Sequence, residues 1–323
     1  MLNKRYLADR RWSGLTGIGR YSRELLSRIS FFVDGYIDGN NPTSFLEILR
    51  GLGYYGKQNV IYSPGYMPLL GARNQFITIH DLILLRSGVG KKNSKAFFNV
   101  LIKPRVKDGS IRVITVSEQS RLEIAEWVGF CPSRIEVVKN GLSSEILRAS
   151  NSNMNNRIKR SLVFVGNMKK HKNFQLFAAA VNLLPGTWFI SLIGPDLDST
   201  VFNNRHQIQK HYGISDAELA KIYLQSEILI NTSSFEGFGM PFLEAGYLGC
   251  RIVHLGVLPT AFEILGNDSK HTYGSMNPAV LSDVIINTSS EITDLPFEPK
   301  LHLANDYSWD KSAQHLGNIL LKK

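Results

Sequence analysis

Two glutamates with seven residues between them, Glu236 and Glu244, stand in the segment Ser233-Ser234-Phe235-Glu236-Gly237-Phe238-Gly239-Met240-Pro241-Phe242-Leu243-Glu244-Ala245. Carboxylates on either side of the open amides of Gly237 and Gly239 can hold a polyhydroxylated ligand by its hydroxyls. Otherwise Glu244 is a partner for a helix dipole and Glu236 a surface loop residue. A second segment, Gly166-Asn167-Met168-Lys169-Lys170-His171-Lys172-Asn173, gathers three lysines. Cations in a strand-to-helix loop are well placed for phosphate, and a solvated basic loop is the plainer reading. A third, Thr16-Gly17-Ile18-Gly19-Arg20-Tyr21, has the glycines that let amides approach a phosphate at a helix start. A simple turn ahead of a helix uses the same residues, and Ser22 stands where a dinucleotide fingerprint needs its third glycine. A fourth is His80-Asp81, where the imidazole either faces a ligand or is a surface residue beside a capping Asp. No Ser or Cys occupies a nucleophile elbow, so a hydrolase triad is not supported.

These segments need strands to carry them. Short apolar runs rich in Val, Ile and Phe occur at residues 5–8, 59–62, 76–80, 112–116 and 135–138, then at 162–165, 189–193, 228–231 and 251–254. Such runs read as buried parallel strands. Amphipathic stretches at 19–30, 118–128, 174–184 and 216–225 lie between them and read as helices, with Ser117 and Ser215 at N-cap positions. Pro241 suits the first turn of a helix and Gly249 its end. The polar run at 150–156 reads as a linker. Strand–helix alternation on both sides of it predicts an α/β chain of two Rossmann-like, doubly wound parallel-sheet domains, with chemistry in the loops after the strands and in the cleft between the domains.

Composition bounds the partners. The 323 residues carry a formal charge of +10 and are 43% hydrophobic, a globular balance. Residues 1–160 hold 25 basic and 12 acidic side chains, whereas residues 161–323 hold 12 and 15. The first half is therefore expected to face something anionic, with nucleic acid, a membrane surface and a phosphorylated ligand all open. Two cysteines, Cys131 and Cys250, make neither a disulfide scaffold nor a metal site, and a reducing cytosol is the expected compartment. The first twelve residues lack the apolar core of a signal peptide, and no apolar run reaches membrane-spanning length.

Taken in order, the motifs TGIGRYSREL, FITIHDL, ITVSEQSRLEI, VVKNGL, LVFVGNMKKHKNF and SSFEGFGMPFLEA, with YSWDKSA at the end, resemble the retaining GT-B glycosyltransferases of family four. The variant with GIGRY, HD and HKN is similar to bacterial polysaccharide and O-antigen transferases, many of which use GDP-mannose. The resemblance implies a GT-B fold with an acceptor domain at 1–150, a nucleotide-sugar domain at 151–305 and a helix at 306–323 that crosses back to the first. It implies that Glu244 grips the ribose hydroxyls, that Glu236 contacts the donor sugar near the reacting carbon, and that Gly237, Phe238, Gly239 and Met240 supply amides to sugar hydroxyls. Lys172 would neutralise the diphosphate, Gly17 and Gly19 would close on it, and His80 would contact the transferred sugar. Many members have Gly-Arg where this chain has Gly166-Asn167. Asn167 then stands at the donor, and Lys169, Lys170 and His171 are left to supply the second cation.

The implied reaction moves a hexose, mannose in the first reading, to a saccharide or polyprenyl-diphosphate-linked acceptor with retention of configuration. No cofactor and no metal are expected, since Asp196-Leu197-Asp198 reads as a turn. Other readings are a sugar-nucleotide epimerase or phosphorylase, a basic nucleic-acid-binding protein, although no RNA-binding motif is evident, and a degenerate transferase serving as a partner subunit. Residues 91–112 hold Lys91, Lys92, Lys95, Lys103, Arg105, Lys107 and Arg112 against Asp108, with Phe97, Phe98, Leu101 and Ile102 among them. A basic segment with an apolar face suits the anionic inner surface of a membrane, and a solvated helix packed on the sheet has the same pattern.

Overall fold

The computed structural model describes residues 5–12, 14, 16–39, 42–49, 59–86, 94–150, 157–266, 269, 271–291 and 300–322. The chain forms two compact units, one of residues 1–141 with 307–323 and the other of residues 142–306. Residues 151–156 of the expected linker lie outside the described residues; the helix Ser144–Ala149, just before them, packs on the second unit's helix Asp216–Gln225.

In the first unit the strands are β1 (Tyr6–Asp9), β2 (Gly35–Ile37), β3 (Val60–Ser63), β4 (Asn74–Thr78), β5 (Ile111–Thr115) and β6 (Glu136–Val137). They form one parallel sheet in the order β2-β1-β3-β4-β5-β6. The second unit has β7 (Ser161–Val165), β8 (Phe189–Ile193), β9 (Gln207–His211), β10 (Ile228–Asn231), β11 (Arg251–Leu255) and β12 (Thr272–Tyr273). These are parallel too, in the order β12-β11-β10-β7-β8-β9. Strand order reverses between β1 and β3 in the first sheet and between β7 and β10 in the second. Chains leaving neighbouring strands at such a point go to opposite faces and open a crevice at the carboxyl ends.

Nine strands form at or near the positions the apolar runs predict. The three without a prediction, β2, β9 and β12, are all sheet edges. β9 reads Gln-Ile-Gln-Lys-His and is largely exposed, and β2 and β12 are three and two residues long. An edge strand has one neighbour and needs no continuous apolar run. One boundary matters for chemistry: β4 ends at Thr78, so His80 stands two residues beyond the strand rather than at its end.

Caps explain where the helices start. Ser117 accepts a hydrogen bond from the Ser120 amide at 3.1 Å, and the helix Glu118–Val128 stops at Gly129 in the left-handed conformation. Ser215 and Glu218 form a reciprocal capping box on the helix Asp216–Gln225. The first helix spans Gly17–Arg28, two residues earlier than its apolar pattern, because Thr16 Oγ1 accepts from the Gly19 amide at 3.2 Å.

The basic segment resolves in favour of packing. Phe98, Ile102 and Val106 are buried in the first unit's core with Ile77, Val113 and Ile124, and Phe97 packs against the same cluster. The apolar face therefore points inward rather than towards a membrane, while Lys95 and Lys107 stay exposed. Arg105 donates to the Ala72 carbonyl at 3.0 Å, and Arg112 lies over the Phe76 ring. Lys91 and Lys92 lie outside the described residues. No helix among the described residues is long and apolar enough to cross a membrane.

The last helix, Trp309–Leu321, belongs to the first unit. Ser312 Oγ donates to the Lys139 carbonyl at 2.7 Å, and Arg28 meets Asp310 at 2.8 Å. A Cβ at Gly141 would collide with the Trp309 backbone.

Candidate functional site

The loops that leave β7 and β10, the two strands at the reversal of the second sheet, are laced together by backbone and side-chain hydrogen bonds. The Ser234 amide donates to the His171 carbonyl at 2.9 Å, and Thr232 Oγ1 donates to the Lys172 carbonyl at 2.7 Å. Asn173, left-handed at φ 47°, donates from Nδ2 to the Thr232 carbonyl at 2.9 Å. Asn is among the few residues that adopt this conformation readily. These bonds bring together two groups 64 residues apart: Lys172 Nζ donates to Glu236 Oε1 at 2.6 Å.

Both side chains are mostly covered, at 15% and 12% exposure. Burial pushes the Glu236 carboxyl up, but the Lys172 charge and hydrogen bond, with further hydrogen bonds from Ser233 and Asn231, outweigh it and hold the group below its ordinary value. Glu236 is therefore an anion at neutral pH. The Asn231 amide donates to Oε1 at 3.1 Å, and Asn231 Oδ1 accepts from the Ser233 amide at 2.9 Å. Asn231 and Asn173 were not singled out in the sequence. The only available signal was an amide closing an apolar run in one case and an amide following a basic run in the other.

His171 is held here as a neutral imidazole. Burial, reinforced by the Lys172 charge, lowers its pKa to about 4, against the opposing pull of Glu236. Asn167 is used locally, its Oδ1 accepting from the Lys169 amide at 3.0 Å. Lys169 and Lys170 are exposed at the rim of the same loop.

After Glu236 the chain enters the helix Met240–Tyr247 through Gly239, with Pro241 in its first turn. Gly239 has φ +91°, and a Cβ there would collide with the Phe242 ring, so this position needs glycine. Phe238 is buried. The helix closes at Leu248, and Gly249, at φ +86°, turns the chain away. Glu244 is buried at 2% exposure, with the Tyr223 hydroxyl donating to its Oε2 at 3.4 Å.

Asp196 and Asp198 form the expected turn: Asp196 has φ +58°, and Asp198 Oδ1 accepts from the Thr200 amide at 2.8 Å. Beside this turn, at the carboxyl ends of β8 and β9, lies a hollow of about 310 Å³ lined by Pro195, Lys210, His211 and Tyr212.

The remaining singled-out residues lie in the first unit. Gly19 is buried, its amide is taken by the Thr16 cap, and a Cβ there would collide with the Gly14 carbonyl; Gly17 is exposed with open space around its Cα. His80 Nε2 lies 2.9 Å from the Pro64 carbonyl, and the ring meets Tyr21 edge-on at 4.8 Å. Burial lowers its pKa to about 4, with the Pro64 contact opposing. A neutral imidazole facing a carbonyl must carry its proton on Nε2, which leaves Nδ1 as an acceptor. Asp81 caps the following turn, its Oδ1 accepting from the Ile83 amide at 2.9 Å.

A buried polar group ahead of the first glycine loop had no sequence signal. Asp9 Oδ1 accepts from Arg11 Nε at 2.8 Å and Asp9 Oδ2 from Arg11 Nη2 at 2.9 Å. Ser63 Oγ donates to Asp9 Oδ2 at 3.0 Å and accepts from Trp12 Nε1 at 3.0 Å. This group ties the carboxyl ends of β1 and β3 together.

Comparison with known proteins gives this geometry a context. Residues 146–272 match the family model described as glycosyl transferases group 1. No curated protein matches the sequence. Among solved structures, a glycosyltransferase from Rickettsia africae superposes with a TM-score of 0.70 at 14% identity, covering 99% of this chain and 100% of that one. HepE from Anabaena, in complex with UDP-glucose, gives 0.69 at 14% identity over 98% and 99%. WaaG, a glycosyltransferase involved in lipopolysaccharide biosynthesis, gives 0.57 at 12% identity over 97% and 95%. At such identities the likeness establishes the fold. The chain thus has the two-domain α/β architecture of the GT-B fold, and the match to the glycosyl transferases group 1 model lies within its second unit.

Proposed function

We propose that the protein is a retaining, metal-independent glycosyltransferase that moves a hexose from a nucleotide sugar to an acceptor hydroxyl. The carrying observation is the Lys172–Glu236 pair at the reversal point of a sheet within the group 1 domain. The leaving group of the reaction is a diphosphate, so its growing negative charge must be stabilised. Lys172 supplies the cation, and the N-terminal amides of the helix Met240–Tyr247 add a favourable dipole. The anionic Glu236 lies beside the donor sugar, where it favours positive charge at the anomeric carbon. It carries no proton at neutral pH and is not the acid. The bond from the anomeric carbon to the phosphate oxygen breaks, the acceptor oxygen bonds to the same face, and the acceptor proton passes to the departing phosphate oxygen. In this scheme Glu244 binds the ribose, Gly237 to Met240 the sugar hydroxyls, the exposed Gly17 the diphosphate, with Gly19 shaping that turn, and Asn167, Lys169 and Lys170 line the phosphate rim. Nδ1 of His80 accepts from a hydroxyl of the transferred sugar. The hollow at the ends of β8 and β9 takes the nucleobase.

The motif resemblance supports mannose from GDP-mannose as the donor and bacterial O-antigen or related polysaccharide synthesis as the setting. The HepE complex with UDP-glucose favours UDP-hexoses as the second reading. The acceptor in this reading is a saccharide or polyprenyl-diphosphate-linked saccharide, reached from the inner face of a membrane by the basic first unit. With Phe98 and Ile102 buried, that attraction rests on charge alone, and binding to anionic vesicles should fall steeply with salt. The test of the reaction is an acceptor-dependent assay followed by NMR of the product's anomeric proton. Retained configuration with an absolute need for acceptor supports transfer. Donor turnover without acceptor at the same rate points to epimerase or phosphorylase chemistry.

A further inference from the structure

The first unit holds a hollow of its own, about 650 Å³, between the helix Gly17–Arg28 and the carboxyl ends of β1 and β2. This is an ordinary size for a small-molecule site. Its character comes from Arg10. The guanidinium carbon lies 3.3 Å above the centroid of the Tyr36 ring, a distance at which only a flat, stacked guanidinium fits. Stacking holds the group by its face and leaves its N–H edges to bond in the plane. Among the described residues no carboxylate forms an ion pair with Arg10. The residue is fixed from behind, its amide donating to the Ile37 carbonyl at 2.9 Å. A second guanidinium, Arg23, also lines the hollow and is anchored by a 2.8 Å hydrogen bond to the Gly14 carbonyl. The buried Leu26 gives an apolar wall, and the Ser27 hydroxyl and Asp38 carboxylate are polar partners on the lining.

A sugar ring needs an apolar surface for its C–H face and polar groups for its hydroxyls. A preorganised guanidinium fork adds a match for a carboxylate or phosphate. We propose that this hollow receives an anionic sugar unit of the acceptor, with its carboxylate or phosphate on Arg10 and its ring against Leu26 and Tyr36. The acceptor role rests on the reading of the protein as a glycosyltransferase; the anionic sugar site stands on Arg10 and Tyr36.

The test titrates the full chain at low salt with glucose 1-phosphate, glucuronate, methyl α-glucoside and inorganic phosphate, using ligand-observed NMR. At least one of the two anionic sugars should bind about tenfold or more tightly than the neutral glucoside, and which one does so separates phosphate from carboxylate recognition. Arg10→Gln should abolish that preference, Arg10→Lys should restore only part of it, and Tyr36→Leu should weaken every sugar. Equal binding of neutral and anionic sugars, or an unchanged preference in Arg10→Gln, would overturn the proposal. So would inorganic phosphate binding as well as glucose 1-phosphate with no response to glucuronate, because the site would then recognise an anion and not a sugar. Thermal shift with nucleotide sugars on the same sample keeps the two claims apart. A donor response without anionic-sugar preference overturns only the present proposal, and the preference without any donor response overturns the transferase reading and with it the acceptor role.

Discussion

The ammonium of Lys172 lies 2.6 Å from a carboxylate oxygen of Glu236, and this pair spans the loops that leave β7 and β10. Lys172→Ala should lower transfer at saturating donor by about 10²–10³, the usual cost of losing one charge-stabilising group. Glu236→Gln keeps a partner for Lys172 and removes the negative charge. It should lower kcat while leaving the donor dissociation constant within a fewfold. A variant with normal kcat and weakened donor binding would make Glu236 a binding group only.

Glu244→Gln should raise the donor dissociation constant about tenfold or more, since the amide keeps only one acceptor oxygen for the ribose hydroxyls. Calorimetry with the nucleotide alone measures this. An unchanged constant rejects the ribose assignment.

Two glycines should separate backbone geometry from ligand contact. Gly239→Ala places a Cβ against Phe242 in a left-handed backbone and should cost about 1–3 kcal/mol of stability. Gly17→Ala meets open space and should change stability by no more than about 0.5 kcal/mol. A loss of transfer in Gly17→Ala with an unchanged melting temperature would place the diphosphate at that loop.

The folded pKa values of His80 and His171, each about 4, lie below the ordinary value of 6.5. Between those values the unfolded chain binds protons that the folded chain does not, so stability should fall as pH drops from about 6.5 towards 4. His80→Gln should flatten that part of the stability–pH curve. If its slope matched wild type, His80 would not be held neutral.

Both sheets' inner strands were legible because buried parallel strands are apolar on both faces. Of the four edges only β6 was, from the run at 135–138; β9 carries Gln207, Gln209 and Lys210, and β2 and β12 are three and two residues long. The Glu236 loop and the lysine loop could be read as separate motifs, but their hydrogen-bonded pairing could not, because it depends on β7 and β10 being neighbours. His171 sits in a basic run, and only packing shows that burial beside Lys172 lowers its pKa to about 4. The basic segment shows the same limit: periodicity reveals that Phe98 and Ile102 share a face, and only packing shows that the face points to the core. Asp9 and Arg11 are ordinary surface types until the fold closes over them.

The central claim is that the second unit binds and activates a nucleotide sugar through Lys172. The most direct measurement follows nucleoside diphosphate release from GDP-mannose, GDP-fucose and UDP-hexoses by wild type and Lys172→Ala, with melting temperature read on the same samples. At least one nucleotide sugar should raise the wild-type melting temperature by mass action and release its diphosphate in the presence of acceptor, at a rate about 10²–10³ lower in the variant. A panel in which no nucleotide sugar shifts melting, or diphosphate release at the same rate in Lys172→Ala, would contradict the claim.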